Sequence, residues 1–314
     1  LTISLDLLDF PPATVRHGFQ EDPLCAVTSL TSLTSLRRGP SPHSATRCGI
    51  SQLIASNSRL VSLDLGGNGL STEIISKMCR EGLSSPQHSS LSRLNLQGNW
   101  VCNEGAISLI RVIANNHNLT HLSLRHCAIR VEGMVPLLWA MGESLRRLQR
   151  LDLSGNFLEA AGVEGLLAIL KANPGVSQLE LSYCDIKPQG ARLLADRLPD
   201  LPQVEELSIR GNNLGLSAVR EVLRAVRRAT AVTSLDLREI YDARHKDLTE
   251  LVKDLRHVTC LDGIKMPPKR AAWKVGPTEI AGEHVAAFLA NAALANKALT
   301  SLDLRGTRMC PDLL

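Results

Sequence analysis

The chain has 314 residues, of which 44% are hydrophobic and only 3% aromatic, so any core must be filled by leucine, valine, isoleucine and alanine. Its 35 basic and 31 acidic residues leave a net charge of +4, too small a bias to argue for nucleic acid or an acidic membrane surface. The longest apolar runs, such as Val163–Leu170, are interrupted and fall well short of the roughly 18 residues that a membrane-spanning helix needs.

In chain order, Leu1–Asp9 carries the strand-like phrase SLDL, with Leu5 and Leu7 alternating. No initiator Met and no signal-peptide pattern precede it, and the chain starts within a pattern, so it reads as part of a longer polypeptide. A degenerate strand is expected in VTSLTSLTSLRRG, Val27 to Gly39, where Leu30, Leu33 and Leu36 allow more than one register. Pro11-Pro12 and Gly39–Pro42 mark loops, and Ile50, Leu53 and Ile54 make a short helix.

From Leu60 one phrase recurs: LVSLDLGGNGL, LSRLNLQGNWV, LTHLSLRHCAI, LQRLDLSGNFL, VSQLELSYCDI and VEELSIRGNNL. Its Leu-x-Leu centre has the period of two of a strand, so Leu151 and Leu153 face inward and Asp152 outward. A small polar residue follows, Asn68, Asn99, Cys127, Asn156, Cys184 or Asn212, suited to satisfying a turning backbone. An apolar residue then returns the chain to the core. Gly105, Gly133, Gly162 and Gly190 are expected to open helices whose apolar residues fall at helical spacing, as at Ala106, Leu109, Ile110 and Ile113. Asn57, Asn116, Asn173 and Asn296 stand where helices are expected to end, a place where asparagine accepts the left-handed conformation.

The first leucines stand at 63, 94, 122, 151, 179, 207 and 235, giving steps of 31, 28, 29, 28, 28 and 28 residues. The long first step holds the polar turn Ser84–Ser90. Units of this length, with Asn and Cys forms of the phrase, resemble the leucine-rich-repeat proteins of the ribonuclease-inhibitor type. The resemblance implies an α/β solenoid, curved, with parallel strands on the concave side and helices on the convex side. A single unit buries too little to fold alone, so neighbours must stack.

Beyond Val232 the pattern decays: Ile240 takes the Asn place in VTSLDLREIYD, and a weak strand is expected at Val258–Ile264. KMPPKRAAWKVGP, Lys265 to Pro277, fits no repeat and reads as an inserted loop. A last helix opens at Gly282, ahead of LTSLDLRGTRM. The reading is one domain over 1–314: degenerate repeats at 1–59, regular repeats at 60–238, a degenerate repeat at 239–281 with insertion 265–277, and an incomplete last repeat at 282–314. The ends of such a stack are expected to be covered by further chain or another subunit.

The eight cysteines form no C-x-x-C pair, so a reducing, intracellular, cytoplasmic setting is expected, without metal or cofactor. His117, His121, His126 and Cys127 cluster around one strand and read as strand surface. No phosphate-binding glycine loop and no catalytic set stands out from the repeat. The expected inner face pairs an acid-leaning row (Asp64, Asn95, Ser123, Asp152, Glu180, Ser208, Asp236, Asp303) with basic residues that neutralise it. Arg93, His121 and Arg150 precede the strand leucines, and Arg125, Arg210, Arg238 and Arg305 follow them.

The candidate partner-binding residues are Lys265, Lys269, Arg270, Trp273 and Lys274 in the insertion, and Arg125, Arg150, Tyr183, Arg210 and Arg238 on the inner face. Tyr, Trp and Arg are the types that dominate interface energetics. The chain is therefore read as a non-enzymatic protein-binding scaffold, a structural subunit of a larger assembly. Repeats of this type also occur in ciliary dynein-regulatory subunits and in NOD-like receptors, so a ciliary or flagellar, cytoskeletal setting is one expectation. The alternatives are a small-GTPase regulator resembling the Ran GTPase-activating protein, with Gly211–Gly215 as its nearest loop, and a wrap-around inhibitor or ligand-sensing domain.

Overall fold

The computed structural model describes residues 51, 54–57, 59–84, 90–229, 231–232 and 234–236, and four short strands outside that range. The chain groups into two compact units, Leu1–Asp152 and Leu153–Leu314. The division falls inside the phrase LQRLDLSGNFL, so both units are built from the same repeat.

In the first unit, strands β1 (Thr2–Ser4), β2 (Ser35–Arg37), β3 (Ser62–Asp64), β4 (Arg93–Asn95), β5 (His121–Ser123) and β6 (Arg150–Asp152) pair in parallel, each with the next. Register places Ile3, Leu36, Leu63, Leu94, Leu122 and Leu151 in one row. Leu36 is thus the strand leucine of the ambiguous run. At the start of the chain it is Ile3, not Leu5, that aligns. A slip of two residues keeps the same side chains on the same face, so alternation alone does not distinguish the two registers.

Helices α1 (Thr72–Lys77), α2 (Cys102–Asn115) and α3 (Val131–Ser144) follow β3, β4 and β5, and pack in sequence, α1 on α2 and α2 on α3. The first of them runs on into a π-helical turn, Met78–Leu83, just before the long connection to β4. In the second unit, α4 (Glu159–Ala172), β7 (Gln178–Glu180), α5 (Lys187–Arg197), β8 (Glu206–Ser208), α6 (Gly215–Arg228) and β9 (Ser234–Asp236) repeat the alternation. Here β7, β8 and β9 are parallel neighbours.

The core is the sum of the phrase leucines, the returning apolar residues and the inner stripe of each helix. Leu63, Leu65 and Leu70, for example, close on Ile75, while Leu94, Leu96 and Val101 close on Leu109 and Ile113, all buried. Because the apolar row continues from strand to strand, each repeat completes its neighbour's core.

The glycines do not open the helices. Helix α2 begins at Cys102, α3 at Val131, α4 at Glu159 and α5 at Lys187, so Gly105, Gly133, Gly162 and Gly190 lie within the first turn. They are there for space. A Cβ at Gly105, Gly162 or Gly190 would fall 2.9, 2.7 or 2.8 Å from Val101, Leu158 or Ile186, the apolar residue that has just turned inward. At Gly133 the obstacle is backbone: a Cβ would lie 2.7 Å from Asn103 Cα on α2. Gly133→Ala is accordingly expected to cost about 1–3 kcal/mol by forcing α2 and α3 apart, read as a lower urea midpoint with unchanged slope.

The helix-ending asparagines also act differently from expectation. Asn116 and Asn173 are extended, with φ of −126° and −124°, not left-handed. Both are buried and work through their side chains: Asn116 Oδ1 accepts from Asn118 N, and Asn173 Nδ2 donates to Ile169 O. An amide that bonds the local backbone relieves the need for a left-handed cap.

Further along, Ala271–Lys274 forms β10, parallel to β11 (Leu299–Asp303), where the sequence reading had an unstructured insertion. Trp273 pairs with Leu302, 29 residues on, which is one repeat length. The segment AAWK therefore holds the strand place of a degenerate repeat whose first leucine has become tryptophan. A Trp in the place of the first leucine breaks the leucine spacing that marks the other strands. The expected strand at Val258–Ile264 and the last helix after Gly282 lie outside the described residues.

Candidate functional site

The turn after each strand is built on the small polar residue. Asn99 Nδ2 donates to Leu96 O at 2.8 Å in its own turn and to Leu65 O at 2.9 Å in the preceding repeat, while Leu70 N donates to Asn99 Oδ1 at 2.9 Å. Asn212 repeats this with Ile209 O, Leu181 O and the Cys184 and Ile186 amides. The cysteines reproduce half of it: Cys127 Sγ donates to Leu96 O, and Cys184 Sγ to Leu153 O. A thiol is a weaker acceptor than an amide oxygen, and the Asn99 and Gly98 backbone bonds to Cys127 offset only part of the effect of burial on it. In the repeat ahead of Cys184, Leu158 N bonds the Cys184 carbonyl.

The residue before Asn or Cys has positive φ in every one of these turns. It is Gly67, Gly98, Gly155 or Gly211 ahead of Asn, but His126 (φ 50°) or Tyr183 (φ 55°) ahead of Cys. These turns are scaffold. Burial pushes the Cys79 and Cys127 thiols up to about 12, and Cys184 is buried too, leaving Cys102 the accessible one among the described cysteines. Alkylation of the native protein at pH 8, mapped by mass spectrometry, is expected to mark Cys102 at least tenfold faster than Cys79, Cys127 or Cys184.

With turns and core spent on structure, the outward strand residues of the first unit are what remains for binding. They line a shallow open depression of about 300 Å³, bounded by Ser62, Asp64, Arg93, Gln97, His121 and Arg150 among others. Strand register sets Arg93 beside His121 and His121 beside Arg150. Neighbouring strands are about 4.8 Å apart, so the three make one basic row across β4, β5 and β6.

The companion row runs Asp64, Asn95, Ser123, Asp152. At Arg93 and Arg150 the expected neutralisation is not found: among the described residues no ion pair joins either to an acid. The acidic row is instead held close to the sheet. Asp64 Oδ1 accepts from Asn95 Nδ2 at 2.8 Å and from Gly66 N at 3.0 Å, and Asn95 Oδ1 accepts from Gln97 N. Asp152, expected to be exposed, is only 8% exposed. A short carboxylate sinks between taller neighbours, whereas the long arginines rise clear of the sheet.

His121 is half-buried between the two guanidiniums. Loss of water, then the Arg93 and Arg150 charges, hold its pKa below the usual histidine value, so it is neutral at pH 7. The Thr120 hydroxyl lies 2.9 Å from Ser92 O and 2.9 Å from His121 Nδ1, which ties the ring to the strand through Nδ1.

In the second unit the structure joins two expected residues. The Arg210 guanidinium lies 5.5 Å from the Tyr183 ring centroid, and Tyr183 is 40% exposed. The ring lies across Gly211, where a Cβ would come 2.2 Å from Tyr183 Cδ1. Arg125 is half-buried beside the basic row of the first unit, and Arg150 belongs to that row. Arg238, Lys265, Lys269 and Arg270 lie outside the described residues; Trp273 and Lys274 sit in β10. The shared position before each first leucine sets Arg93, His121 and Arg150 in one row, and the register agrees; of the three, only Arg150 is among the binding residues expected from sequence.

Among the described residues no group of three or more His, Cys, Asp or Glu is arranged to hold a metal ion. Nor is any helix among them long and apolar enough to cross a membrane.

A family description, Leucine Rich repeat, matches residues 56–79, 87–109, 115–138 and 172–195. Over 217 residues the chain is 30% identical to NACHT, LRR and PYD domains-containing protein 5 of Bos taurus, a match covering 68% of this chain and 19% of that protein. It is 29% identical over 252 residues to the ribonuclease inhibitor of Sus scrofa, covering 69% of this chain and 52% of the inhibitor. The chain thus spans about a fifth of the one relative and about half of the other. In three dimensions it is similar to the leucine-rich-repeat-containing protein LegL7 of Legionella pneumophila, with a TM-score of 0.53 at 18% identity over 99% of this chain and 93% of that one. Phrase, register, buried Asn and Cys turns and these likenesses agree: the chain is a leucine-rich-repeat protein of the ribonuclease-inhibitor type.

Proposed function

We propose that this chain is a non-enzymatic scaffold in a larger intracellular assembly, and that it grips a protein partner with the outward face of β3–β6. Leucine-rich-repeat architecture is that of a protein-interaction scaffold. The observation that carries the choice of face is the row of exposed arginines, Arg93 and Arg150, which no acid neutralises among the described residues. Arginine held without an internal partner is available for a bidentate grip on another protein.

The alternative of GTPase regulation gains no support from its nearest loop. Asn212 is buried and spent on the backbone, leaving Asn213 as the exposed polar side chain of Gly211–Gly215. A wrap-around inhibitor is the second reading, favoured by the similarity to ribonuclease inhibitor. The test is capture from a cell lysate by the immobilised chain, comparing wild type with an Arg93→Ala/Arg150→Ala variant. Loss of specific proteins by the variant supports the reading, and an activity assay on those proteins separates scaffold from inhibitor. Equal capture by both places the partner elsewhere.

A further inference from the structure

We propose that the Arg93–His121–Arg150 row is a carboxylate cradle, which seats a glutamate or aspartate of an acidic segment of the protein partner between two guanidiniums and, in mild acid, the His121 imidazolium. The inference rests on the strand-face reading above and names the partner's chemistry. Arg93 and Arg150 flank His121 on the adjacent strands, so the ends of the row are about 10 Å apart at the backbone. Two arginine side chains of that separation converge on one carboxylate lying over the histidine.

His121 faces Arg93 from β4 and Arg150 from β6, with Ser123 on its own strand and Arg125 just beyond it. The acids of the neighbouring row are Asp64, bonded to Asn95 and Gly66, and the buried Asp152. Two cations lie alongside the imidazole, and its Nδ1 is engaged with Thr120, which leaves Nε2 for a ligand. An arriving carboxylate offsets the arginine charges and favours uptake of a proton from solvent by the imidazole, which as imidazolium donates to it. Binding is therefore coupled to proton uptake. The sign follows: His121 is neutral in the free protein near neutral pH and charged more readily in the complex, so affinity rises as pH falls through that range. It levels off once free His121 is also protonated.

A nucleic acid fits this surface less well. A polyanion laid along the basic row would run beside Asp64 and Asp152, about two residues away along the strands. A peptide can set acids over one row and neutral or basic groups over the other.

The test uses the full chain at low salt, where such contacts are least screened. The probes are a fluorescent Glu-Ala repeat peptide, its Lys-Ala counterpart and an oligouridylate, each at pH 5.5 and 8.0, a range in which glutamate stays ionised. The Glu peptide is expected to bind about three- to tenfold more tightly at pH 5.5 than at pH 8.0, and the Lys peptide not at all. Arg93→Gln/Arg150→Gln is expected to lose at least about tenfold. His121→Gln should keep the pH 8.0 affinity and lose the gain at pH 5.5. Circular dichroism melts show that both variants remain folded.

Equal binding of the Glu and Lys peptides, a double variant that binds like wild type, a pH gain that survives His121→Gln, or oligouridylate bound more tightly through the same arginines would each overturn the cradle. If lysate capture depends on the arginines but the Glu peptide does not bind, the cradle fails and the strand-face reading stands. If the peptide binds and capture ignores the arginines, the strand-face reading fails and the partner assignment with it.

Discussion

Asn212→Ala is expected to lower the unfolding free energy by about 3–4 kcal/mol. The side chain is fully buried and serves two repeats at once. Its Nδ2 donates to Leu181 O and Ile209 O, both at 2.8 Å, and its Oδ1 accepts from Cys184 N at 2.9 Å and Ile186 N at 3.1 Å. Alanine leaves two amides and two carbonyls without partners where water does not reach, and each unsatisfied group costs about 1–3 kcal/mol before relaxation. Asn212→Cys should fall between wild type and alanine. A thiol keeps the donated bond, as Cys184 does to Leu153 O, but accepts the two amides more weakly than an amide oxygen does. Urea unfolding of the three proteins gives the order, and an alanine variant within about 1 kcal/mol of wild type would show that the turn satisfies itself by another route.

Leu151→Ala is expected to cost about 3–5 kcal/mol, the range for a buried leucine whose neighbours cannot close the gap. Leu151 is fully buried, in register with Leu122, in a row of strand leucines that continues through Leu94 and Leu63. Packing on that row comes from backbone-anchored neighbours, so the cavity should persist. Leu151→Met, of similar volume, should cost less than about 1.5 kcal/mol. One residue earlier, exposed Arg150→Ala should stay within about 0.5 kcal/mol. Asp152, outward on the same strand, is the poorer control because it is buried. Similar losses for Leu151→Ala and Arg150→Ala in denaturant melts would contradict the assignment of faces.

The strands from β3 to β9 and their buried leucines were legible in the sequence, because period-two alternation and a 28-residue repeat both follow directly from backbone geometry. Register at Ile3 was not, since a two-residue slip leaves the alternation intact. The role of Gly133 was not legible either: its cause is Asn103 on the neighbouring helix, 30 residues away in sequence. The positive φ at His126 and Tyr183 lay hidden for a related reason. Glycine announces the left-handed turn ahead of Asn, whereas the Cys turns accept it in residues that carry no such signal.

The site was half legible. Position in the phrase identified the basic and acidic residues of the inner face, but opposite charges in adjacent rows suggested pairing. At Arg93 and Arg150 the side chains decide otherwise: Asp64 bonds Asn95 and a backbone amide within its own reach, and the two longer arginines are left exposed. Burial of Asp152 likewise depends on neighbours that repeat position does not specify.

The most direct test of the strand face as the binding surface is site-specific photo-crosslinking in cells. A photoreactive residue replaces Gln97, exposed in the depression among β3–β6, or Ile107, exposed on helix α2 and 53% accessible. Adducts to a discrete partner from position 97, lost when Arg93 and Arg150 are replaced, and none from position 107, are the predicted result. Adducts from position 107 alone would contradict the account and move the interface to the helices.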